Sequence, residues 1–194
     1  MSDTPLTVQD RVLQAAVTCF SRKGVNKTSM EDVANEASMG RATLYRHFKD
    51  RDALCLSVIE REALIIASEI YPQLKEIDDI GDYIVEGILL AVDAIKANSI
   101  LYELFKPDSI ALSNSLLLVT NRLSLIGIDV LTSMLEPAKK EGTLREDLPV
   151  AMMMDWILRI LTSLLTVPSE ATSTRQDKEY LLKQMLLPAL LKRV

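Results

Sequence analysis

Long apolar runs are missing from this sequence of 194 residues. No stretch of about eighteen uncharged apolar residues occurs, as a membrane-spanning helix would need. The opening residues, MSDTPLTVQDR, lack the basic start and apolar run of a signal peptide. We therefore expect a cytoplasmic protein that has no membrane as a partner.

Residues that commonly support catalysis or metal binding are also scarce. The two cysteines, Cys19 and Cys55, lie in apolar helical patterns and have no partner at metal-ligand spacing. His47 is the single histidine, and neither a nucleophile elbow, a phosphate loop nor an HExxH or ExxH set occurs. We expect no catalytic residues, no metal and no cofactor. An enzyme using a helical pocket would depend on carboxylates alone.

Aromatic residues, glycine and proline are few, whereas 48% of the residues are apolar. This mixture is typical of packed helices and predicts an all-α fold. The net charge of −5 is unevenly distributed, because residues 1–60 carry eight Lys/Arg and eight Asp/Glu. Within them, residues 40–51 carry four basic residues and one acid, a local patch of the kind that contacts phosphates.

Local signals place three helices in the first fifty residues. Thr7 and Ser29 each precede an aspartate by three residues, the pattern of a capping box at a helix start. Gly24 is typical of the end of the first helix. The residues Ser38-Met39-Gly40 predict a short turn, followed by a basic helix over 41–48.

The remainder predicts helices joined by short breaks. Asp50 is expected to cap a helix that runs until Pro72 interrupts it, and Pro137 and Pro188 are expected to kink or divide theirs. The other predicted helices lie near 79–97, 99–106, 113–141, 148–167 and 175–193.

Two short helices separated by three residues, with the second basic and exposed, are typical of a helix-turn-helix that reads the major groove. Residues 7–60 resemble the DNA-binding domain of the tetracycline-repressor (TetR) family. The resemblance is carried by Val33-Ala34-Asn35-Glu36-Ala37, Thr43-Leu44-Tyr45-Arg46-His47-Phe48 and Lys49-Asp50-Arg51-Asp52-Ala53-Leu54. The family commonly places glycine first in the turn between the second and third helices, where this sequence has Ser38.

The resemblance implies a helix-turn-helix DNA-binding domain over 1–50 and a C-terminal helical bundle over 51–194 for ligand binding and dimerisation, with about nine helices in total. It implies a homodimeric repressor released from a palindromic double-stranded DNA operator by a small-molecule effector. Positions that match base contacts are Arg41, Ala42 and Arg46. Positions that match phosphate or backbone contacts are Thr28, Ser29, Thr43, Tyr45, His47, Lys49 and Arg51.

The C-terminal helices predict a second buried face. Helix 148–167 is apolar around more than half of its circumference, which is wider than one core requires. With helix 175–193, it supplies an expected dimer interface of Met154, Ile157, Leu158, Leu161, Leu165, Leu182, Met185 and Leu186. Two-fold symmetric DNA half-sites follow from a dimer.

A mainly apolar set with a few polar groups is expected to line a pocket for a largely apolar effector. Its members are Tyr83, Tyr102, Phe105, Asn121, Met134, Met153 and Trp156. Each is more simply explained as an ordinary core residue, which is the usual role of aromatic residues and methionine at helical spacing. The residues also leave open a helical adaptor, or a small-molecule-binding protein without a DNA function.

Overall fold

The computed structural model describes residues 7–104, 135, 136 and 138–192, and this part of the chain is helical, as expected for an all-α fold. No strand occurs in these ranges; Leu144 and Leu191 form an isolated antiparallel bridge. The helices are α1 Val8–Lys23, α2 Met30–Glu36, α3 Arg41–His47, α4 Arg51–Leu74, α5 Ile80–Ala97, α6 Ser99–Leu104, α7 Val150–Thr166, α8 Arg175–Leu181 and α9 Leu187–Leu190.

Some predicted elements lie wholly or partly outside the described residues. These are Pro137, most of the helix expected over 113–141 and the last two residues of the helix expected over 99–106. Residues 135, 136 and 138–140 are helical. No helix in the described ranges has both the length and the apolarity needed to cross a membrane.

Contacts divide the described chain into two compact units. The first unit contains residues 7–62 and 99–104, and the second contains 63–98, 135, 136 and 138–192. The first unit therefore runs beyond the boundary expected at residue 50 and includes α6. The division of DNA binding and ligand binding between 1–50 and 51–194 stays a prediction.

Both predicted capping boxes in the first unit are formed. The Thr7 and Ser29 hydroxyls accept hydrogen bonds from the third backbone N–H of α1 and α2, at 3.1 Å in each case. Gly24 ends α1 with φ +81°, and its N–H donates to the Phe20 carbonyl. Asp50 caps α4 by accepting from the Ala53 N–H at 2.8 Å. These local bonds fix where α1, α2 and α4 begin and where α1 ends.

A single apolar core holds the first unit together. It consists of the buried faces of α1, α2, α3 and the start of α4, together with one residue of α6. Its largest contributors, all nearly inaccessible to solvent, are Val12, Cys19, Phe20, Val33, Leu44, Phe48, Leu54 and Val58. Because α3 supplies Leu44 and is followed by Phe48, its orientation is set by packing on one side only.

The turn between α2 and α3 places a serine in a backbone conformation that favours glycine. Ser38 has φ +52°, and the Met39 N–H reaches back to the Ala34 carbonyl at 2.9 Å. This six-to-one bond is the Schellman way of ending a helix. Gly142, with φ +73°, occupies the equivalent position where the Thr143 N–H bonds to the Ala138 carbonyl at 3.0 Å.

Replacing Ser38 with glycine is expected to stabilise the protein by about 0.5–1 kcal/mol. The left-handed region costs a residue with a Cβ atom about 1–2 kcal/mol, whereas the greater freedom of glycine in the unfolded chain returns about 0.4–1 kcal/mol of that. Urea denaturation would measure the difference. Ser21→Gly, in right-handed α1, is the matched control and should destabilise by about 0.5 kcal/mol. If both variants changed the free energy of unfolding in the same direction, the left-handed conformation of Ser38 would not explain the effect.

The second unit packs α5, α7, α8 and the end of the chain around a second core. Buried side chains include Ile84, Ile88, Leu89, Met153, Met154, Leu182, Leu186 and Leu190. Its polar edge is an ionic seam, in which Arg175 contacts Glu86 and Asp93, and Lys183 contacts Asp82. The seam joins α5 to α8 and to the turn that follows α8.

Two expected helix ends are corrected. Pro72 does not stop α4, which continues for two more residues to Leu74; the proline has no N–H to donate to the preceding turn, and the helix ends within one turn of it. The last helix does not reach residue 193, because Lys192 leaves it to donate from its N–H to the Thr143 carbonyl at 2.9 Å. The expected division near Pro188 is confirmed, since a π-helix, Leu182–Leu186, separates α8 from α9.

Candidate nucleic-acid interface

Helix α3 presents one face to the core and leaves the opposite face to solvent. Leu44 is completely buried, and Phe48 follows it four residues later in the same core. The exposed face carries Arg41, Ala42, Tyr45, Arg46 and His47, with Thr43 half-buried at its border. The structure therefore brings six of the predicted DNA-contact residues together on one short helix.

The cations of this face differ in their partners. Arg46 donates to the Thr43 hydroxyl at 3.3 Å, and among the described residues no carboxylate lies within ion-pair distance of it. Arg41 is paired with Glu31 of α2. Lys49 projects into solvent just after α3, at 3.8 Å from Asp50. Arg46 and Lys49 are thus the most readily available positive charges for an anionic partner.

Helix α2 carries three carboxylates, and each is paired with a cation of a neighbouring helix. Asp32 contacts Lys23 at 2.5 Å and Glu36 contacts Arg22 at 3.0 Å, both on α1. Glu31 contacts Arg41 on α3. Exposed pairs contribute about 0–1 kcal/mol each to stability. Their larger consequence is that the acids of α2 are compensated beside the cationic face.

Two of the predicted DNA contacts, Thr28 and Arg51, hold the linker between α1 and α2 in place. Thr28 is only 2% exposed, and its hydroxyl donates towards the carbonyls of Gly24 at 2.9 Å and Cys19 at 3.3 Å. Thr28 is therefore corrected from a phosphate contact to a fastening of the linker between α1 and α2. Ser29, by contrast, is exposed and combines its cap with a place next to the interface.

Arg51 also fastens this linker. Its Nε donates to the Thr28 carbonyl at 3.0 Å, and its guanidinium reaches the Val25 carbonyl. The side chain is half-buried and two of its nitrogens bond to the linker, while the phosphate contact that the resemblance implies for Arg51 stays a prediction. Arg51 thus connects the start of α4 to the residues that precede α2, which stabilises the helix-turn-helix.

The capping carboxylate of α2 gives this unit a pH dependence. Asp32 accepts hydrogen bonds from Lys23 at 2.5 Å and from the Ser29 N–H and hydroxyl at 2.9 and 2.8 Å. These partners hold the pKa of Asp32 well below its ordinary value of 3.8. A carboxyl with a lowered folded pKa stabilises the fold above its unfolded pKa, and this stabilisation is lost as the pH falls towards the folded pKa.

Asp32→Asn should therefore lower stability at about pH 6 and have progressively less effect below pH 3.8. Asparagine removes the charge that attracts Lys23 and weakens the box with Ser29. Urea midpoints of the two proteins, measured across this pH range, would report the change. A difference between the proteins that is the same at both ends of the range would contradict this account.

The predicted pocket residues are only partly brought together. Tyr83 and Met153 are buried in the second unit, on α5 and α7, which pack against each other. Trp156 is 44% exposed, so its assignment to a pocket lining is corrected, and Tyr102 belongs to the first unit. Phe105, Asn121 and Met134 lie outside the described residues.

Most of the predicted dimer residues face the chain's own core. Met154, Ile157, Leu165, Leu182 and Leu186 are buried within one chain, and Leu158 and Leu161 are half-buried. The first five are corrected to core residues, because a side chain already covered cannot also cover a partner. Met185 is 72% exposed and stays a candidate. Four other large apolar side chains are exposed nearby in the sequence. Met152 and Trp156 are on α7, Val167 directly follows α7, and Tyr180 is on α8.

Comparison with known proteins finds a family model that matches the helix-turn-helix. Residues 12–58 match the family model described as bacterial regulatory proteins, tetR family. The matched residues run from the buried part of α1, through α2 and α3, into α4. They therefore include the whole exposed face of α3.

Curated relatives are regulators by name. An HTH-type transcriptional regulator of Staphylococcus aureus is 37% identical over 82 residues, which cover 42% of this chain and 43% of that protein. The chain thus spans less than half the length of this relative. A second HTH-type transcriptional regulator, of Mycobacterium tuberculosis, is 23% identical over 181 residues, covering 92% of this chain and 83% of that protein.

Solved structures share the fold over nearly the whole chain. RolR in complex with resorcinol has a TM-score of 0.73 at 18% identity, covering 94% of this chain and 87% of that one. The fatty acid degradation regulator FadR from Bacillus halodurans has a TM-score of 0.65 at 17% identity, covering 95% and 98%. The helix-turn-helix of this chain, residues 12–58, therefore matches the tetR family of bacterial regulatory proteins, and the solved structures share its fold.

Proposed function

We propose that this protein is a transcription regulator that binds a palindromic DNA operator as a homodimer and is released by a small-molecule effector. The observation that carries the proposal is the exposed cationic face of α3, held rigidly by Leu44 and Phe48 on the opposite side. A helix of this width enters the major groove, where side chains near its start reach base edges.

The roles of the α3 side chains follow from their chemistry. A guanidinium bonds bidentately to O6 and N7 of guanine, so Arg41 and Arg46 read bases, with Ala42 leaving room for close approach. Tyr45, His47, Thr43 and Lys49 contact phosphates and position the helix without reading sequence. Because these contacts release counterions, affinity falls steeply as salt is raised.

Dimerisation is supported by apolar side chains that the chain leaves uncovered on its C-terminal helices. Met152 and Trp156 lie four residues apart on one face of α7, and Met185 projects from the π-helix after α8. Such residues are normally buried at an interface when they form a contiguous patch. A second copy related by a two-fold axis sets the two α3 helices about one duplex turn apart.

An effector site in the second unit is supported by one buried polar group. The Tyr83 hydroxyl is enclosed but has no hydrogen-bond partner among the described residues, and burial raises the pKa of this phenol. A buried polar group without a partner costs about 1–3 kcal/mol, so a ligand that accepts a hydrogen bond from the Tyr83 hydroxyl would be favoured. A coupling of about 1–3 kcal/mol to the DNA-binding unit would change operator affinity about 5- to 150-fold.

Selection of binding sequences from a random duplex library would test the proposal. The expected result is an inverted repeat whose half-sites are centred about one duplex turn apart, bound by two copies of the chain. A strictly monomeric protein, or equal and weak affinity for all duplexes at moderate salt, would overturn it. Mapping of bound sites in the genome would then indicate the effector's chemistry from the neighbouring genes.

A further inference from the structure

One ion pair links the helix-turn-helix to itself across the turn. Glu31 lies in the first turn of α2 and contacts the guanidinium of Arg41, the first residue of α3. Both side chains are more than half exposed, at 57% and 60%. The pair therefore lies on the same surface as the rest of the cationic face.

The ion pair contributes little to stability but fixes the orientation of the Arg41 guanidinium. An exposed ion pair contributes little to folding, because water screens it and two long side chains lose freedom. For an arginine that reads a base, however, that loss is useful. A guanidinium already held in one orientation loses less freedom on meeting its target than a free one.

The Arg41 guanidinium has enough N–H donors to contact Glu31 and a base at the same time. Arginine has five N–H donors in a planar fork, and its contact with Glu31 runs through one terminal nitrogen. Among the described residues, the other terminal nitrogen and the second hydrogen of the contacting one have no partner, so they can meet O6 and N7 of guanine. Arg46, by comparison, is steadied only by the Thr43 hydroxyl among the described residues.

We propose that Glu31 is a positioning residue that fixes Arg41 for guanine at one position of each operator half-site. The inference rests on the proposed function and deepens it. Glu31 also brings a negative charge towards the phosphate backbone, which weakens binding to every sequence. The pair thus exchanges general affinity for discrimination, a common route to specificity.

Four variants of the full-length protein separate orientation from charge. Glu31→Ala removes both the charge and the acceptor, whereas Glu31→Gln removes the charge but keeps an oxygen that can accept from Arg41. Arg41→Ala identifies the base pair that Arg41 reads. Glu36→Ala is the matched control, because Glu36 is on the same helix but contacts Arg22 on α1.

Dissociation constants would be measured for the selected operator and for every single base-pair substitution in it, at one salt concentration. We expect Arg41→Ala and Glu31→Ala to lose preference at the same position, on the order of tenfold per half-site. Glu31→Gln should retain most of that preference. Glu31→Ala should also bind random duplexes more tightly than the unchanged protein, whereas Glu36→Ala should alter no base preference.

These measurements test the proposed function and the role of Glu31 separately. If the unchanged protein shows no sequence preference, the proposed function fails and this inference fails with it. If the protein is specific and its preference survives Glu31→Ala, only the inference is overturned. It is also overturned if Glu31→Ala changes a different position from Arg41→Ala, since Glu31 would then read a base directly.

Discussion

Replacing Arg46 and Tyr45 together by alanine is expected to abolish sequence-specific DNA binding while leaving the fold intact. Each bidentate contact of an arginine with guanine is worth about 1–3 kcal/mol. A dimer makes the contact twice, so the loss from Arg46 alone is about 2–6 kcal/mol, or about 30- to 20,000-fold in operator affinity. Tyr45 adds the loss of a phosphate contact that positions α3. Fluorescence anisotropy with the selected operator would measure the change.

The fold should survive because both side chains point away from the core of the first unit. Tyr45 is half exposed, and Arg46 bonds only to the Thr43 hydroxyl among the described residues. Lys75→Ala is the control, since it also removes a positive charge from an exposed side chain but lies at the end of α4, in the second unit. Operator affinity that is unchanged in the double variant, or lost equally in the control, would show that the exposed face of α3 does not read the operator. An adaptor would show no sequence-specific binding before or after the change.

Sequence reasoning succeeded where a few consecutive residues decide the structure. The boxes that begin at Thr7 and Ser29, the glycine that ends α1 and the cap at Asp50 each depend on hydrogen bonds within about four residues. The inward side of α3 follows in the same way from the spacing of Leu44 and Phe48. Such signals are independent of how distant segments pack, so they can be read directly from the chain.

It failed where the partner of a polar group lies far along the chain. Arg51 has the chemistry expected of a phosphate contact, but the fold uses it for the linker carbonyls, and it reaches back 26 residues to Val25. Thr28 has a local partner in the Gly24 carbonyl, but its burial depends on how the linker packs, which no local pattern records. Glu31 was not found for the same reason. Its pairing with Arg41 spans two helices and a turn, and no periodic pattern marks it.

The apolar helix α7 shows a different limit. Its sequence is apolar around more than half of the circumference, which indicates two covered faces without saying which of them meets the chain's own core. Burial separates them, because Met154 and Ile157 are enclosed whereas Met152 and Trp156 are exposed. An amphipathic pattern records hydrophobicity alone, so the predicted dimer residues were drawn mainly from the wrong face.

Substituting glutamate at both Met152 and Trp156 is expected to convert the dimer to a folded monomer. Two charges per chain would have to be buried without partners in an apolar interface, at a cost that exceeds the usual worth of such contacts. Within one chain both positions are exposed, so the fold should be retained. Sedimentation would report the mass, and circular dichroism the helix content.

Operator affinity should fall by at least about a hundredfold in the same variant, because a single half-site leaves little beyond the non-specific attraction of the phosphates. Leu64→Glu is the control, an exposed apolar residue on α4, and should stay dimeric. Ile157→Glu should instead unfold the second unit, since it buries a charge in the core. If the Met152 and Trp156 variant remains a dimer with full operator affinity, the exposed face of α7 is not the interface. If the variant is a monomer that still binds the operator tightly, the two-fold arrangement is not needed for recognition.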